Sequence, residues 1–213
     1  MLTLNKIVKL LNEKSIKVIV TEDKIYIDNR LDESIPIENH YGISIQDGKW
    51  SYCFYVLERK NNIQTEVLKS FINKEEAENY LFLQQINKYF INNYVIASRN
   101  HEIENWTIEL VRKEMKRVGI PSNYLSYGSE IFSNSILYSN ESGKWYSGYI
   151  NTNNELIYKT KCGNDEQDWF LSLYGNDVYI LYLFDIYQSE LLDKKEVLRP
   201  FSDKEKLIVL GYE

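Results

Sequence analysis

The clearest β-hairpin pattern in this sequence lies in residues 47–71, DGKWSYCFYVLERKNNIQTEVLKSF. Its Asp-Gly pair is one of the strongest signals for a tight turn between antiparallel strands. Aromatic and β-branched residues dominate the next stretch and predict a long strand over Lys49–Arg59. A turn at Asn61-Asn62 and a strand ending at Phe71 complete the hairpin. The pattern predicts an antiparallel sheet, because parallel strands need much longer connections.

Helices and shorter strands flank this hairpin in the first half of the chain. Leu4, Ile7, Leu10 and Leu11 recur at helical spacing, and Thr3 is a suitable N-cap. Asn73 caps a second predicted helix, with Glu76 placed to reach back to it. The alternating segments between these helices predict strands over Lys17–Val20, Lys24–Asp28 and Gly42–Gln46.

The second half of the chain shows the same order of elements. A helical face over Glu104–Val118 precedes several segments with strand patterns. The predicted strands are Asn123–Tyr127, Glu130–Tyr138, Lys144–Ile150 and Glu155–Lys161. A short helix over Asn164–Tyr174 and an apolar strand over Val178–Tyr187 are predicted to follow.

Local matches between the halves occur in the same order along the chain. Both halves enter a strand through Gly-Lys-Trp, reach an Asn-Asn turn and then begin a helix at an asparagine. The matches are Gly48-Lys49-Trp50 with Gly143-Lys144-Trp145, Asn61-Asn62 with Asn153-Asn154, and Asn73-Lys74-Glu75-Glu76 with Asn164-Asp165-Glu166-Gln167. Their common order indicates an internal duplication.

These patterns predict an α+β fold with two related halves, residues 1–98 and 99–213. Each half is expected to be an antiparallel β-meander flanked by helices, and the second carries an extra C-terminal strand or helix. The short junction near Ser98 predicts that the halves pack closely on each other. A single continuous sheet shared by both halves is the alternative.

Composition limits where the protein is expected to act. The 213 residues are 44% hydrophobic and 26% charged, which suits a globular chain that buries a core without disulfides or metals. No apolar run approaches the roughly 18 residues that span a bilayer, and the N-terminal residues lack a secretory signal pattern. Cys53 and Cys162 stand alone, as expected for small strand residues of a reduced compartment. We therefore expect a cytoplasmic protein without membrane contact.

Catalytic and cofactor motifs are absent from the sequence. Its two histidines, His40 and His101, lie in polar segments that predict solvated surface residues. There is no Gly-x-Ser-x-Gly elbow, no phosphate-binding glycine loop and no Cys/His zinc spacing. We expect no catalytic, metal-binding or cofactor-binding residues, and hence not an enzyme. An enzyme with dispersed carboxylates and a structural or assembly subunit are the two alternatives.

The charge balance also argues against a nucleic-acid partner. The formal net charge is −6, and the one basic run, Arg112–Arg117, fits a solvated helix face. Acidic residues near Glu75 and Asp165 fall in first helical turns, where they stabilise the helix dipole.

The second half combines negative charge with many aromatic residues. Residues 1–98 contain twelve Lys and Arg against thirteen Asp and Glu, whereas residues 99–213 contain thirteen against eighteen. Tyrosine and tryptophan supply most energetic hot spots of protein interfaces. The candidate partner-binding residues are therefore three anchors, Trp145, Tyr146 and Tyr149, and three steering charges, Asp165, Glu166 and Asp168.

The order of a helix followed by hairpins, with Gly-Lys-Trp strand entries at Gly48 and Gly143, resembles the small cytoplasmic immunity proteins of bacterial polymorphic-toxin systems. That resemblance implies a non-catalytic α+β protein that binds and neutralises one cognate toxin. It implies a protein partner, such as a toxin domain encoded nearby. Whether the protein is a monomer or a homodimer stays open.

Overall fold

The computed structural model describes residues 2–30, 37, 39–58, 62–99, 103, 106–141, 144–161, 170 and 172–212. These residues form two compact units, Met1–Ile86 and Asn87–Glu213. The division lies inside a long helix, ahead of the boundary predicted after residue 98. Cys162, His101 and the predicted helix start at Asn164 lie outside the described residues.

The first unit contains an N-terminal helix, a five-stranded sheet and most of a long helix. All neighbouring strands are antiparallel and follow each other in chain order, which confirms the predicted meander. The elements are α1 (Leu4–Asn12), β1 (Lys17–Val20), β2 (Lys24–Asp28), β3 (His40–Gln46), β4 (Lys49–Glu58), β5 (Asn62–Phe71) and α2 (Lys74–Phe90).

One face of this sheet forms the apolar core of the first unit. Ile25 and Ile43 are buried on paired strands, and Ile7 and Leu10 bury the apolar face of α1. Tyr52 of β4 meets a tyrosine of α2 edge to face. Two-residue alternation in the strands and helical spacing in α1 thus direct apolar side chains to one interior.

The helix α2 begins and ends as its sequence indicates. The amide of Glu76 donates to Asn73 Oδ1 at 2.9 Å, so Asn73 caps the helix as predicted. Beyond Phe90 the helix continues through a π-helical turn, Ile91–Val95, and a last turn, Ile96–Ser98.

The described part of the second unit combines a four-stranded sheet with helices. The sheet order is β6-β7-β8-β9, and a π-helical segment, Leu173–Tyr179, leads into the longest of these helices. The elements are α3 (Ile108–Arg117), a 3₁₀ turn (Ser122–Tyr124), β6 (Leu125–Tyr127), β7 (Ser135–Glu141), β8 (Lys144–Ile150), β9 (Leu156–Lys161), α4 (Ile180–Asp193) and α5 (Asp203–Leu210).

The strands β7, β8 and β9 form the predicted antiparallel meander, whereas β6 runs parallel to β7. A second reversal of the chain, between Glu130 and the start of β7, causes this difference. Tyr127 and Glu130 exchange backbone hydrogen bonds of 3.0 and 3.1 Å across the first turn, Gly128-Ser129. The amide of Phe132 then donates to Ser126 Oγ at 2.8 Å. The chain therefore reverses direction twice between β6 and β7, so that β7 runs in the same direction as β6.

The prediction of a strand over Val178–Tyr187 is wrong, because these residues are helical. A short apolar run does not by itself distinguish a buried strand from a buried helix. In the structure the buried positions follow helical spacing, at Ile180, Leu181, Phe184, Tyr187 and Leu191.

Lys49-Trp50 and Lys144-Trp145 begin strands with matching places in their sheets. Lys49 and Lys144 each begin a strand that lies next to the sheet edge, between two antiparallel neighbours. The correspondence ends at β6, whose parallel pairing has no counterpart in the first unit.

Candidate protein-binding surface

The structure places the predicted partner-binding residues in three different situations. Asp165, Glu166 and Asp168 lie outside the described residues. Trp145 is the second residue of β8, and the structure describes its backbone but not its side chain. Tyr146 is half-exposed, with the ammonium of Lys159 lying 4.2 Å from its ring centroid. Of the predicted anchors, Tyr146 is placed where a partner could reach it.

Tyr149 does not fit the predicted role of a surface anchor. Its side chain is fully buried, and its hydroxyl donates to Asn134 Oδ1 at 3.0 Å. Burial, together with the nearby carboxylates of Asp203 and Asp185, raises the pKa of Tyr149. Strand alternation explains the error, because Tyr146 and Tyr149 are three residues apart and so face opposite sides of β8. Tyr149 belongs to the core.

A charged cluster connects the helices of the second unit to the segment before β7. The ammonium of Lys206 donates to Asp185 Oδ1 at 2.9 Å and to Asn134 Oδ1 at 2.6 Å. Tyr124 and Asn134 donate to the other carboxylate oxygen of Asp185. A buried ion pair is tolerated when further hydrogen bonds satisfy its remaining groups. This geometry fixes α4, α5 and the loop before β7 relative to one another.

A buried acid, Asp177, lies in the π-helical segment. Asp177 is buried and accepts hydrogen bonds from Ser147 and Tyr212. Burial raises the pKa of its carboxyl to about 7, although these hydrogen bonds act in the opposite direction. The hydroxyl oxygens of Tyr212 and Ser147 lie 3.2 Å apart, within hydrogen-bond distance of each other. The cluster joins Tyr212, which follows α5, to β8.

His40, predicted as a solvated loop residue, is instead 6% exposed at the start of β3. The ammonium of Lys24 lies 3.0 Å from its Nε2 and 3.3 Å from the ring centroid of Tyr55. Burial lowers the pKa of Lys24 and raises that of the Cys53 thiol. His40 shares its face of β3 with Gly42 and Ser44, and the core residue Ile43 lies on the other face, so strand alternation alone predicts an exposed histidine and not the buried one observed. A buried thiol with a raised pKa is a poor nucleophile.

The basic run of α3 forms a solvated helix face, as predicted. Arg112, Lys113 and Lys116 are exposed, while Glu114 is buried and accepts from Arg117 at 2.7 Å. Two of the exposed cations border a concavity of about 420 Å³ at the end of α3. Arg112 is also paired with Glu130, so this concavity does not present two uncommitted cations to a ligand.

Sheet edges are a further kind of place where the main chain can bind a partner. Edge strands present unpaired N–H and C=O groups, and proteins usually protect them by shortness, lysines or bulges. Each described sheet has two edges, formed by β1 and β5 and by β6 and β9. Three of these edges are protected. β1 has four residues, β6 has three, and β9 contains Lys159 and Lys161 among its six.

The fourth edge, β5, is long and exposed. It has ten residues and, within the described chain, pairs with β4 alone. Every residue from 63 to 68 is exposed, including Ile63 at 58% and Val67 at 47%. Ile72, just beyond the strand, is 95% exposed. Residues 63–68 of β5, which we call the open edge, combine accessible main chain with apolar side chains.

Comparison with known proteins gives no relative for this chain: no protein-family model, curated protein or solved structure matches it. Among the described residues there is no group of three or more His, Cys, Asp and Glu side chains that could hold a metal. None of the described helices has the length and apolarity needed to cross a membrane.

Proposed function

We propose that this protein is a non-catalytic protein-binding module, and that it binds an extended segment of its partner along the open edge of β5. We further propose that the partner is a toxin domain that the protein neutralises. The open edge is the observation that supports binding. The resemblance to immunity proteins and the acidic second half support the choice of partner.

Strand addition to an open edge uses forces that β5 supplies. In an antiparallel pair, alternate residues direct both their N–H and C=O groups toward the same neighbour. About half of the main-chain groups of the open edge therefore point away from β4. An added strand would satisfy them and cover Ile63 and Val67, and each exposed apolar side chain contributes on the order of 1 kcal/mol when covered. Main-chain bonds supply affinity, and the side chains supply selectivity.

In this proposal the negative charge of the second half attracts the partner, and the open edge in the first half binds it. Residues 1–98 have a net charge of −1, whereas residues 99–213 have a net charge of −5. A basic toxin domain would be attracted by the second half, since complementary charge raises association rates. The open edge of the nearly neutral first half would then hold it by short-range contacts. Steering depends on ionic strength, while strand pairing does so much less.

Co-expression tests the function directly. The proposal requires a toxin domain encoded near this chain, and that domain is the probe, induced alone or together with the protein. We expect the protein to restore growth and to co-purify with that domain. Growth arrest despite soluble protein, with no complex recovered, would refute the immunity function.

Two charge substitutions test the surface within the same assay. Val67→Lys places a lysine on the open edge, and we expect it to weaken the complex by about tenfold or more, because edge lysines oppose strand addition. Leu156→Lys is the matched control, since Leu156 is also 47% exposed and also lies on an edge strand. It should leave affinity within about twofold. Equal effects of both substitutions would exclude β5 as the binding surface.

A further inference from the structure

We infer that the partner segment bound at the open edge is a five-residue antiparallel strand with apolar residues at its first and last positions and a basic residue at its second. This inference rests on the proposed function and specifies the chemistry of the partner. It follows from the bulge, the two faces and the charge of β5.

A β-bulge sets the length of the segment. Along β4 and β5, Cys53 pairs with Val67 and Tyr52 pairs with Lys69, so Leu68 is an extra residue without a directly opposite neighbour. Such an insertion bends the strand and increases its twist. Regular pairing with an added strand is therefore confined to Ile63–Val67. These five residues span about 16 Å at the usual rise of a strand.

One face of the regular segment is apolar at both ends. Ile63, Thr65 and Val67 pair with alternate residues of β4 and therefore share a face. Directly opposed β-branched and aromatic residues stabilise a sheet. The best partner thus places such residues opposite Ile63 and Val67, with a small hydroxyl residue opposite Thr65.

The other face of residues 63–67 favours a charged residue in the partner strand. It holds Gln64 and Glu66, and Glu66 is the only charged residue among positions 63–67. Opposite charges across two strands stabilise the pair, and like charges destabilise it. A lysine or arginine opposite Glu66 is therefore favoured, and an acidic residue there is disfavoured.

Strand direction then fixes the order of the partner residues. All pairs of this sheet are antiparallel, and antiparallel pairing is slightly the more stable. In that direction the residue facing Val67 comes first and the residue facing Ile63 comes last. The segment Val-Lys-Thr-Gln-Ile satisfies all five positions, and Val-Glu-Thr-Gln-Ile differs from it only in the sign of the charge opposite Glu66.

Titration of the full-length protein with these two peptides tests the inference. Each is capped and flanked by Ser-Gly, and backbone amide shifts are followed by NMR. We expect shifts confined to the region of β5, with the lysine peptide binding about fivefold more tightly than the glutamate peptide. In the Glu66→Lys variant, whose fold is checked by circular dichroism, the preference should reverse.

Three results would overturn the inference: absence of binding, equal binding of both peptides, or a preference that Glu66→Lys leaves unchanged. Shifts of β5 amides that depend on protein concentration without peptide would instead assign the edge to a second copy of the chain. Failure here is distinguishable from failure of the proposed function. If the toxin domain co-purifies while neither peptide binds, the function stands and the specified segment does not.

Discussion

Replacing Asp177 with asparagine is expected to make the protein more stable at neutral pH. Asp177 is buried in the π-helical segment beside Ser147 and Tyr212. An amide is nearly the same shape as a carboxyl group and stays neutral at every pH. The substitution therefore removes the cost of ionising this side chain in the core while changing the local packing little.

The structure sets the sign and size of this effect. The carboxyl pKa rises from 3.8 to about 7 on folding. The folded state therefore binds a proton more tightly than the unfolded state, and stability decreases as the pH rises between these values. One pKa unit corresponds to about 1.4 kcal/mol, so the change amounts to about 4 kcal/mol. Asp177→Asn should match the wild type near pH 4 and exceed it by up to about 4 kcal/mol at pH 8.

Urea denaturation from pH 4 to pH 8 measures this difference, followed by circular dichroism for both proteins. Comparing variant and wild type cancels the contributions of the other titrating groups. Glu190→Gln makes the same carboxyl-to-amide change at an exposed position of α4 and serves as the matched control. If the stability difference for Asp177→Asn stays constant across this range, the carboxyl does not titrate between pH 4 and pH 7 as argued.

Two further substitutions test how the second unit is held together. A Cβ on Gly148 would lie 2.6 Å from the carbonyl oxygen of Tyr158. Gly148→Ala should therefore force β8 and β9 apart and lower the free energy of unfolding by about 2 kcal/mol, measured as a lower urea midpoint. An unchanged midpoint would contradict that contact. Lys206→Met leaves the Asp185 carboxylate without its cation and should cost about 3 kcal/mol, whereas Lys204→Met on the exposed side of α5 should cost less than about 0.5 kcal/mol. Equal thermal shifts for these two lysine variants would show that the buried pair does not stabilise the unit.

Much of the fold was predictable from the sequence because turn residues and strand alternation indicate the same elements. The first sheet follows its predicted strands closely, since Asp47-Gly48 sets a hairpin and alternation sets the faces. Predictions from local sequence were wrong where contacts with the rest of the fold determine the structure. The apolar run after Val178 fits either a strand or a buried helix, and its surroundings select the helix. Gly128-Ser129 carries a standard hairpin signal, and Tyr127 and Glu130 do pair across it, but the chain then reverses again, and β7 pairs in parallel with β6.

The candidate site was less predictable than the fold, because exposure depends on strand order and not on composition. Tyr146 and Tyr149 look alike in the sequence, yet one faces outward and the other fills the core. The strand β5 was predicted, but its importance comes from having a neighbour on one side only. No property of Ile63 or Val67 distinguishes them in the sequence from the valines and isoleucines of inner strands.

The contrast between β5 and β9 bears on function because both are edge strands of the same chain. The strand β9 protects its edge with two lysines, one of which lies over Tyr146. The strand β5 is longer, and its own bulge and lysine, Leu68 and Lys69, lie beyond residues 63–67, which expose Ile63 and Val67. The unprotected residues 63–67 form an edge of the kind that promotes unwanted association between chains. The same unprotected row of main-chain groups is what strand addition requires, so a binding role accounts for a feature that stability and solubility do not favour.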